Sequence, residues 1–572
     1  MRMMYRLGLC CLSLLLIVPS VKAADGPELI PSSSAAVIKL MAPQKTLKQA
    51  SSFIDSVQQG YGSMVLGQAG MLGVAISNPT MQGVDQSRDW WAAVFVQEDE
   101  DPAVVFVIPA TDTDAMSEAL DKSYSFVAHD DYGIYSDDED AIETIKKHLE
   151  SRTSESAAAV ASEEVVGMFE NSHIAIGVNL VVLKETYKDR LDEMREEMME
   201  GLSEAQGEML EVPGVNLEFL TDLLGKAADK LVVAVEDSEG YCLSVTLAAD
   251  GFELEEYLQF AEGSRAAKFL KAHPASEPKT LKKLPADQLA YWSINGDLTG
   301  LNAWGMGLLP QMLEMDDEEK AKWEGLSKDI KAVKFQDSSA SFSLGNLESG
   351  LLRTVVTGSA SPSDKFRAFL AKTAELMDGL DISGVKQEMS LEKSHEEIEG
   401  VDVDLLTTRQ IVDDNQQFGG LQAQMNQFLY GGDTIETRIA YLEDGTYIQT
   451  MGGETEAMEN AIEAYKAGAA GDDEVLTRDL APLGKANFVA LIDLQSMIKQ
   501  ALEIAADAPN LPPMPFDQES LKDLEVQRSY IGMSVSTTDR GCSGQLRIPI
   551  ETFQAGASMA AFFQRIQGGN AF

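Results

Sequence analysis

The chain repeats one arrangement of predicted elements, in which a strand leads directly into an amphipathic helix. Four segments show it: 35–41 before 46–57, 173–182 before 185–199, 289–297 before 298–312, and 487–494 before 495–506. Asn179, Asp297 and Asp493 lie near the ends of the last three strands. Asn or Asp there is typical of a helix N-cap, because its side-chain oxygen accepts a hydrogen bond from a free backbone N–H. Internal repetition of this kind predicts a duplicated architecture.

Predicted β-hairpins recur between these units. Three pairs of segments show them: 91–108 with 340–358, 126–135 with 439–451, and 231–248 with 530–548. Each alternates apolar residues around a polar turn, such as Asp444-Gly445, which is a strong hairpin signal. For the last pair the turns are predicted near 238–240 and 539–541.

The order of elements predicts an α+β fold made of two tandem copies, residues 24–275 and 276–572, the second with an insertion near 380–435. Adjacent hairpins make each sheet mostly antiparallel. We expect the helices to pack on one face of each sheet, as in other α+β folds.

The N-terminus predicts a cleaved signal peptide at residues 1–23. Arg2 and Arg6 precede an apolar stretch at 7–18, and Val21-Lys22-Ala23 is a cleavage site of the small-residue type. We therefore expect an exported protein, periplasmic or extracellular. No later segment predicts a transmembrane helix: the charge-free stretch 56–84 contains six glycines and is too broken for one.

Two cysteines, Cys242 and Cys542, remain after the signal peptide, each just past a predicted turn. An exported chain meets oxidising conditions, so a disulfide between them is allowed. The alternative is two free thiols, since only geometry decides whether two cysteines can be bridged.

The charge excludes some classes of partner. The chain has 92 Asp and Glu against 45 Lys and Arg, a net charge of −47. Nucleic-acid binding requires clustered basic residues, so we expect no nucleic-acid partner. Docking on an anionic lipid surface is disfavoured for the same reason.

Two short motifs open the proposed copies. PELIP at 27–31 precedes AAVIKL, and LPAD at 284–287 precedes LAYWSINGD. With the signal peptide and the repeated strand–helix–hairpin units, they resemble a group of uncharacterised secreted proteins of bacterial envelopes. The resemblance implies an envelope location, no known activity and no functional residues to carry over.

A search for catalytic and metal-binding patterns finds none that is specific. The five histidines, His129, His148, His173, His273 and His395, form no HExxH pattern, and no GxSxG elbow or P-loop occurs. Calcium is the remaining cofactor candidate, at acidic turns 98–101, 130–131 with 137–140, 316–319 and 472–474. None has the EF-hand pattern, and the favoured interpretation is solvated turns and helix N-termini. We therefore expect a protein that is not an enzyme.

Methionine and tryptophan clusters provide the one hint of binding. The first group is Met194, Met198, Met199 and Met209; the second is Met306, Met312 and Met315, with Trp304 nearby and Trp90-Trp91 farther upstream. Such side chains suit an adaptable apolar groove for a lipid or a partner helix. Core packing of amphipathic helices is the favoured alternative.

Three hypotheses of function follow. The first is an exported, non-catalytic binding or scaffold protein of the periplasm or envelope, with an envelope protein or an apolar ligand as partner. The second is a carrier of a lipid or other apolar ligand, which requires a sizeable apolar cavity. The third is a hydrolase whose active-site residues are distant in sequence. The oligomeric state stays open.

Overall fold

The computed structural model of the chain describes residues 26–151, 155–190, 193, 217–312, 317–382, 385–412, 419–507, 516 and 518–569. The predicted signal peptide lies outside the described residues. The chain divides into two compact units. The first comprises Met1–Arg195, Ala234–Leu270 and Asp539–Ala557, and the second comprises Glu196–Val233, Lys271–Thr538 and Ser558–Phe572.

The strands alternate with helices along most of the chain. In chain order the strands are β1 Ala36–Leu40, β2 Trp90–Phe95, β3 Ala103–Pro109, β4 Ser125–His129, β5 Tyr132–Ser136, β6 Ile174–Asn179, β7 Ser238–Ala248, β8 Gly251–Phe260, β9 Ala290–Asp297, β10 Lys334–Asn346, β11 Gly350–Ser361, β12 Asp381–Ile382, β13 Val385–Ile398, β14 Val401–Val412, β15 Thr434–Tyr441, β16 Thr446–Met451, β17 Phe488–Ile492, β18 Ile531–Thr537 and β19 Gly541–Pro549.

The helices are numbered in the same way. They are α1 Pro43–Val57, α2 Gly62–Gly67, α3 Ala69–Ala75, α4 Thr113–Ala119, α5 Glu139–Ser151, α6 Ala157–Val160, α7 Glu163–Asn171, α8 Leu180–Thr186, α9 Leu217–Asp237, α10 Arg265–Ala272, α11 Thr299–Met312, α12 Asp317–Ile330, α13 Ser363–Met377, α14 Gly419–Tyr430, α15 Glu454–Ala467, α16 Ala469–Asp472, α17 Glu474–Leu480, α18 Leu494–Asp507, α19 Gln518–Lys522 and α20 Ile550–Gly569. Short 3-10 turns occur at Pro27–Leu29, Leu281–Lys283 and Ala481–Leu483. No helix of the described residues has both the length and the apolar character needed to cross a membrane.

The first unit contains an antiparallel sheet with strand order β4-β5-β3-β2-β1-β6-β7-β8-β19. The predicted domain boundary placed 539–557 in the second copy, whereas the structure groups these residues with the first unit. The reason is that β19 pairs with β8 along its whole length, from Gly541 opposite Gln259 to Pro549 opposite Gly251.

Both faces of this sheet are covered by helices, so the prediction of helices on one face is wrong for this unit. On one face, Trp91 and Val107 pack in a cluster with Ile142 of α5. On the other face, Trp90 and Ile108 pack in a cluster that also holds residues of α1, α3 and α4. Strands β2 and β3 are apolar at nearly every position, and a strand of that kind must be buried on both faces.

The second unit contains an antiparallel sheet with strand order β18-β17-β9-β10-β11-β16-β15-β14-β13-β12. Strand β16 of this sheet packs against helices on both of its faces. Ile448 of β16 packs against Met458 of α15, while its neighbour Tyr447 packs against the cluster of Phe366 on α13. The helices again lie on both faces, contrary to the prediction.

The predicted insertion near 380–435 extends the second sheet. It comprises β12, β13, β14 and α14, and β14 pairs with β15 from Val403 opposite Ala440 to Arg409 opposite Thr434. The buried carboxylate of Asp404 on β14 binds the guanidinium of Arg367 on α13, with Nε to Oδ2 at 2.7 Å. This ion pair joins the added strands to a helix of the unit.

The predicted N-caps Asn179 and Asp493 are confirmed. Asn179 Oδ1 accepts from the backbone N–H groups of Val181 and Val182, and Asp493 Oδ1 accepts from that of Ser496. Asp297 Oδ1 accepts from the Thr299 N–H, but α11 begins at Thr299, so Asp297 lies one residue before the N-cap position.

The predicted hairpin at 231–248 is wrong. Helix α9 continues to Asp237, and the hairpin is instead β7–β8, with its turn between Ala248 and Gly251. The valines at 232–235 are typical of a strand, but with Leu231 they continue the helical spacing of the leucines earlier in α9.

Candidate functional site

Cys242 and Cys542 are both free thiols, so of the two alternatives that the sequence leaves open the structure has the unbridged one. Cys242 on β7 lies opposite Tyr257 of β8, and Cys542 on β19 lies opposite Leu258 of the same strand. Strand β8 therefore separates them by two strand spacings, about 9–10 Å. A disulfide requires Cα atoms closer than about 7 Å. Burial raises the pKa of Cys242 to about 12 and raises that of Cys542 as well, so both are poor nucleophiles.

The methionine clusters form no groove in the part of the chain that the structure describes. Met194, Met198, Met199 and Met209 lie outside it, as does Met315. Met306 packs against the core cluster of Trp323, as the core interpretation predicts, and Trp304 is 54% exposed. Trp90 is a core residue, but its neighbour Trp91 lines a cavity described below.

The acidic turns bind groups of the protein itself where they are described. Asp131 pairs with Arg88, Asp138 Oδ1 accepts from the Ala141 N–H at the start of α5, and Asp473 caps α17 while pairing with Arg528. Glu399, Glu459 and Glu463 of the second unit lie close together but are exposed. Exposed acidic groups of this kind are ordinarily solvated.

The first unit contains a cavity of about 670 Å³. Its floor is formed by β1, β2, β6, β7 and β8, and its walls by α6, α7 and the start of α8. Most of the lining is apolar: Val37, Ala36, Trp91, Ala157, Ala158, Val160, Ala161, Val165, Val166, Phe169, Gly177, Val178, Val181 and Val182. A volume and lining of this kind are typical of small-molecule sites.

Small residues on the floor leave this space open. Gly177 on β6 has no side chain, and a Cβ there would lie 3.0 Å from the ring of Phe169. Phe169 stacks on Trp91 with ring centroids 5.8 Å apart. The amphipathic sequence of α7 turns Phe169 and Val165 toward the sheet and leaves Glu163 and Glu164 exposed.

One end of the cavity is polar. Lys39 is 2% exposed, and its Nζ lies 3.2 Å from Oδ2 of Asp89 and donates to the carbonyl of Phe169. Asp89 Oδ1 accepts from the Ala42 N–H at 2.9 Å. Burial lowers the pKa of Lys39, and the Asp89 carboxylate opposes that shift. The cavity therefore ends in an ion pair that is held by two backbone groups, the Phe169 carbonyl in α7 and the Ala42 N–H just before α1.

His173 lies near the ion pair of Lys39 and Asp89. Its Nδ1 accepts from the Leu247 N–H at 3.4 Å, and its buried Nε2 has no hydrogen-bond partner among the described residues. Burial first, and then the charge of Lys39, lower the pKa of His173 to about 4. The imidazole is thus neutral at pH 7.

The rim and wall provide further polar groups. Glu28 and Glu170 are exposed lining residues, while Glu239 is ion-paired with Arg540 at 2.6 Å. Trp91 is 6% exposed, and its Nε1 has no hydrogen-bond partner in the described part of the chain. The edge of the indole ring that carries this donor packs against Gly26.

Sequence reasoning did not single out this site. Lys39, Asp89 and Phe169 come from segments far apart in the chain, and their meeting depends on the strand order. The one available signal was Lys39 itself, a charged residue inside the apolar strand AAVIKLM. The arrangement can enclose an apolar molecule and offer it one polar end.

Comparisons of the chain with protein-family models, with curated proteins and with solved structures find no match.

Proposed function

We propose that this is an exported, non-catalytic binding protein whose first unit carries an apolar small molecule. The observation that carries the proposal is the largely apolar cavity of about 670 Å³ between the sheet and helices α6 to α8. Ligand sites in proteins are typically apolar clefts of this size with a few placed polar groups. The carrier hypothesis required such a cavity, although the methionine clusters do not form it.

Several polar residues of the lining already serve the fold, which favours binding over chemistry. Ser162 Oγ accepts from the Val165 N–H and caps α7, and Asn179 caps α8. Ser34 Oγ donates to the Pro31 carbonyl at 2.9 Å, and Lys39 is paired with Asp89. A nucleophile needs an adjacent base or a shifted pKa to be activated, and these groups are committed elsewhere.

Export rests on the N-terminal sequence. Basic Arg2 and Arg6, the apolar stretch 7–18 and the Ala23 cleavage site are the parts of a signal peptide. The partner in this proposal is a ligand or protein of the cell envelope.

We also propose that the two units are tandem copies, on the support of their strand order. Ranked along the chain, seven strands of the first unit are β1 to β7, and they lie side by side in the order 4-5-3-2-1-6-7. The corresponding strands of the second unit are β9, β10, β11, β15, β16, β17 and β18. Their order in the sheet is again 4-5-3-2-1-6-7.

Equivalent backbone hydrogen bonds support the same proposal. Asn179 N–H donates to the Ala35 carbonyl at 2.8 Å, and Asp493 N–H donates to the Leu289 carbonyl at 2.8 Å. Two further hydrogen bonds of the first unit have counterparts in the second. The bond from the Met41 N–H to the His173 carbonyl corresponds to that from the Asn295 N–H to the Asn487 carbonyl. The bond from the Ala157 N–H to the Ile30 carbonyl corresponds to that from the Ala470 N–H to the Leu284 carbonyl. This register makes Ala35 equivalent to Leu289 and Asn179 equivalent to Asp493.

The same register explains why the first unit has room for a ligand. Val37 lies opposite Gly177, whereas the equivalent pair in the second unit is Tyr291 opposite Leu491. Tyr291 and Leu491 are fully buried in a core cluster. Two small residues in the first unit thus occupy positions that hold two large side chains in the second.

Fluorescence titration with N-phenyl-1-naphthylamine tests the carrier proposal. This uncharged apolar probe should bind the mature protein saturably at one site per chain. Val37→Tyr and, from the opposite wall, Ala158→Phe should each weaken binding by about tenfold or more. The control Val74→Tyr introduces the same change, valine to tyrosine, at an exposed position of α3, and should leave the affinity for the probe unchanged. Thermal melting followed by circular dichroism establishes that each variant is folded.

Absence of saturable binding to the folded wild-type protein would refute the proposal. Binding to both folded cavity variants at wild-type affinity would place the probe elsewhere and refute it as well.

A further inference from the structure

We propose that the cavity selects uncharged apolar molecules and rejects anionic amphiphiles such as free fatty acids. This inference rests on the proposed function and adds the chemical class of the ligand.

Among the described lining residues Lys39 is the only basic one, and its charge is already neutralised. Lys39 is paired with Asp89 at 3.2 Å and also donates to the Phe169 carbonyl. A ligand carboxylate placed beside this pair would be a second negative charge against one ammonium. In a buried site an unbalanced charge is strongly disfavoured, because it has lost its hydration without gaining a partner.

The rim adds repulsion of the same sign. Of the charged lining residues, one is positive, Lys39, and four are negative, namely Glu28, Asp89, Glu170 and Glu239. Glu239 is compensated by Arg540. Glu28 and Glu170 are exposed, and neither forms an ion pair with another described residue. An anion entering past them meets two negative charges on a protein whose net charge is −47.

A matched pair of probes tests the selectivity. N-phenyl-1-naphthylamine and 8-anilino-1-naphthalenesulfonate share one ring system, and the second carries a sulfonate. The uncharged probe should bind at least tenfold more tightly at low ionic strength. In competition against it, 1-dodecanol should displace the probe at lower concentration than dodecanoate does.

The charge origin is tested with a double variant. Glu28→Gln with Glu170→Gln should raise the affinity for the sulfonate probe severalfold relative to the affinity for the uncharged probe. Glu163→Gln with Glu164→Gln removes the same number of charges from exposed positions of α7 outside the lining, and should have a much smaller effect. Added salt should reduce the difference in affinity between the two probes for the wild-type protein, and should not do so for the variant without Glu28 and Glu170.

The two proposals fail in different ways. If the uncharged probe does not bind, the carrier proposal itself is overturned. If the uncharged probe binds and the sulfonate binds equally well or better, or if the rim variant leaves sulfonate affinity unchanged, the carrier proposal stands and the selectivity is overturned.

Discussion

The ammonium of Lys39 lies 3.2 Å from the carboxylate of Asp89, at the polar end of a cavity whose other walls are apolar. The two side chains differ in exposure, at 3% for Lys39 and 32% for Asp89. The lysine therefore depends on its partner more than the aspartate does, since the aspartate keeps part of its hydration.

This asymmetry predicts unequal effects of removing either partner. Asp89→Asn leaves a buried ammonium without a counter-charge and should lower the free energy of unfolding by about 3 kcal/mol. Lys39→Met replaces that ammonium with an apolar side chain of similar length and should cost only about 1 kcal/mol. Urea denaturation measures both. A larger loss for Lys39→Met than for Asp89→Asn would contradict the predicted dependence.

His173 predicts a loss of stability in mild acid. Its pKa in the folded protein is about 4, against 6.5 in the unfolded chain. Between these values the unfolded chain binds a proton that the folded protein does not, so stability falls as the pH falls from about 6.5 to 4. The contribution is at most about 3 kcal/mol.

The variant His173→Gln should remove this contribution and flatten the dependence of unfolding free energy on pH in that window. His129→Gln, on the edge strand β4, is the control and should keep the wild-type slope. Parallel curves for wild type and His173→Gln would show that another group is responsible.

The cysteines predict thiol chemistry that distinguishes burial from a disulfide. With residues 1–23 removed, the chain keeps Cys242 and Cys542, and both thiols should react with an aromatic disulfide reagent after unfolding without prior reduction. In the folded protein Cys242 should react very slowly, because burial raises its pKa to about 12 and excludes the reagent. Fewer than two reactive thiols in the unfolded, unreduced chain would mean that the cysteines are bridged.

Local features of the fold were predictable because their signals are local. Asn179 and Asp493 were predicted as N-caps and are, since capping depends on a side chain and the next three residues. The two strands and the turn predicted at 530–548 are present as β18 and β19, but these strands belong to different units and pair with β17 and β8 respectively. At 231–237 the local signals conflicted, because a run of valines also fits the last turns of an apolar helix.

Non-local features were not predictable from the same signals. Helices cover both faces of a sheet where its strands are central, and the strand order decides which strands those are. Trp90 and Trp91, adjacent on β2, show this, because they pack in core clusters on opposite faces. The cavity requires Lys39 to meet the Phe169 carbonyl, 130 residues away in the chain. From the sequence a disulfide stayed open as one alternative, because the turns before the two cysteines looked equivalent; in the structure β8 lies between them.

Because the two units are packed differently, a valine-to-alanine substitution should lower the free energy of unfolding by different amounts in each. Val489 on β17 is fully buried among large side chains, so Val489→Ala should create a void and lower the free energy of unfolding by about 2 kcal/mol. Val178 on β6 already borders the cavity, so Val178→Ala only enlarges an existing space and should cost less than about 1 kcal/mol.

Chemical denaturation of the two variants beside the wild type measures both costs, and the uncharged naphthylamine probe supplies an independent readout. Val178→Ala should change the affinity for the probe, because Val178 is part of the cavity lining, whereas Val489→Ala should leave that affinity as in the wild type. Equal destabilisation by the two substitutions, with probe binding unaffected by either, would mean that the first unit is packed as densely as the second and has no room for a ligand.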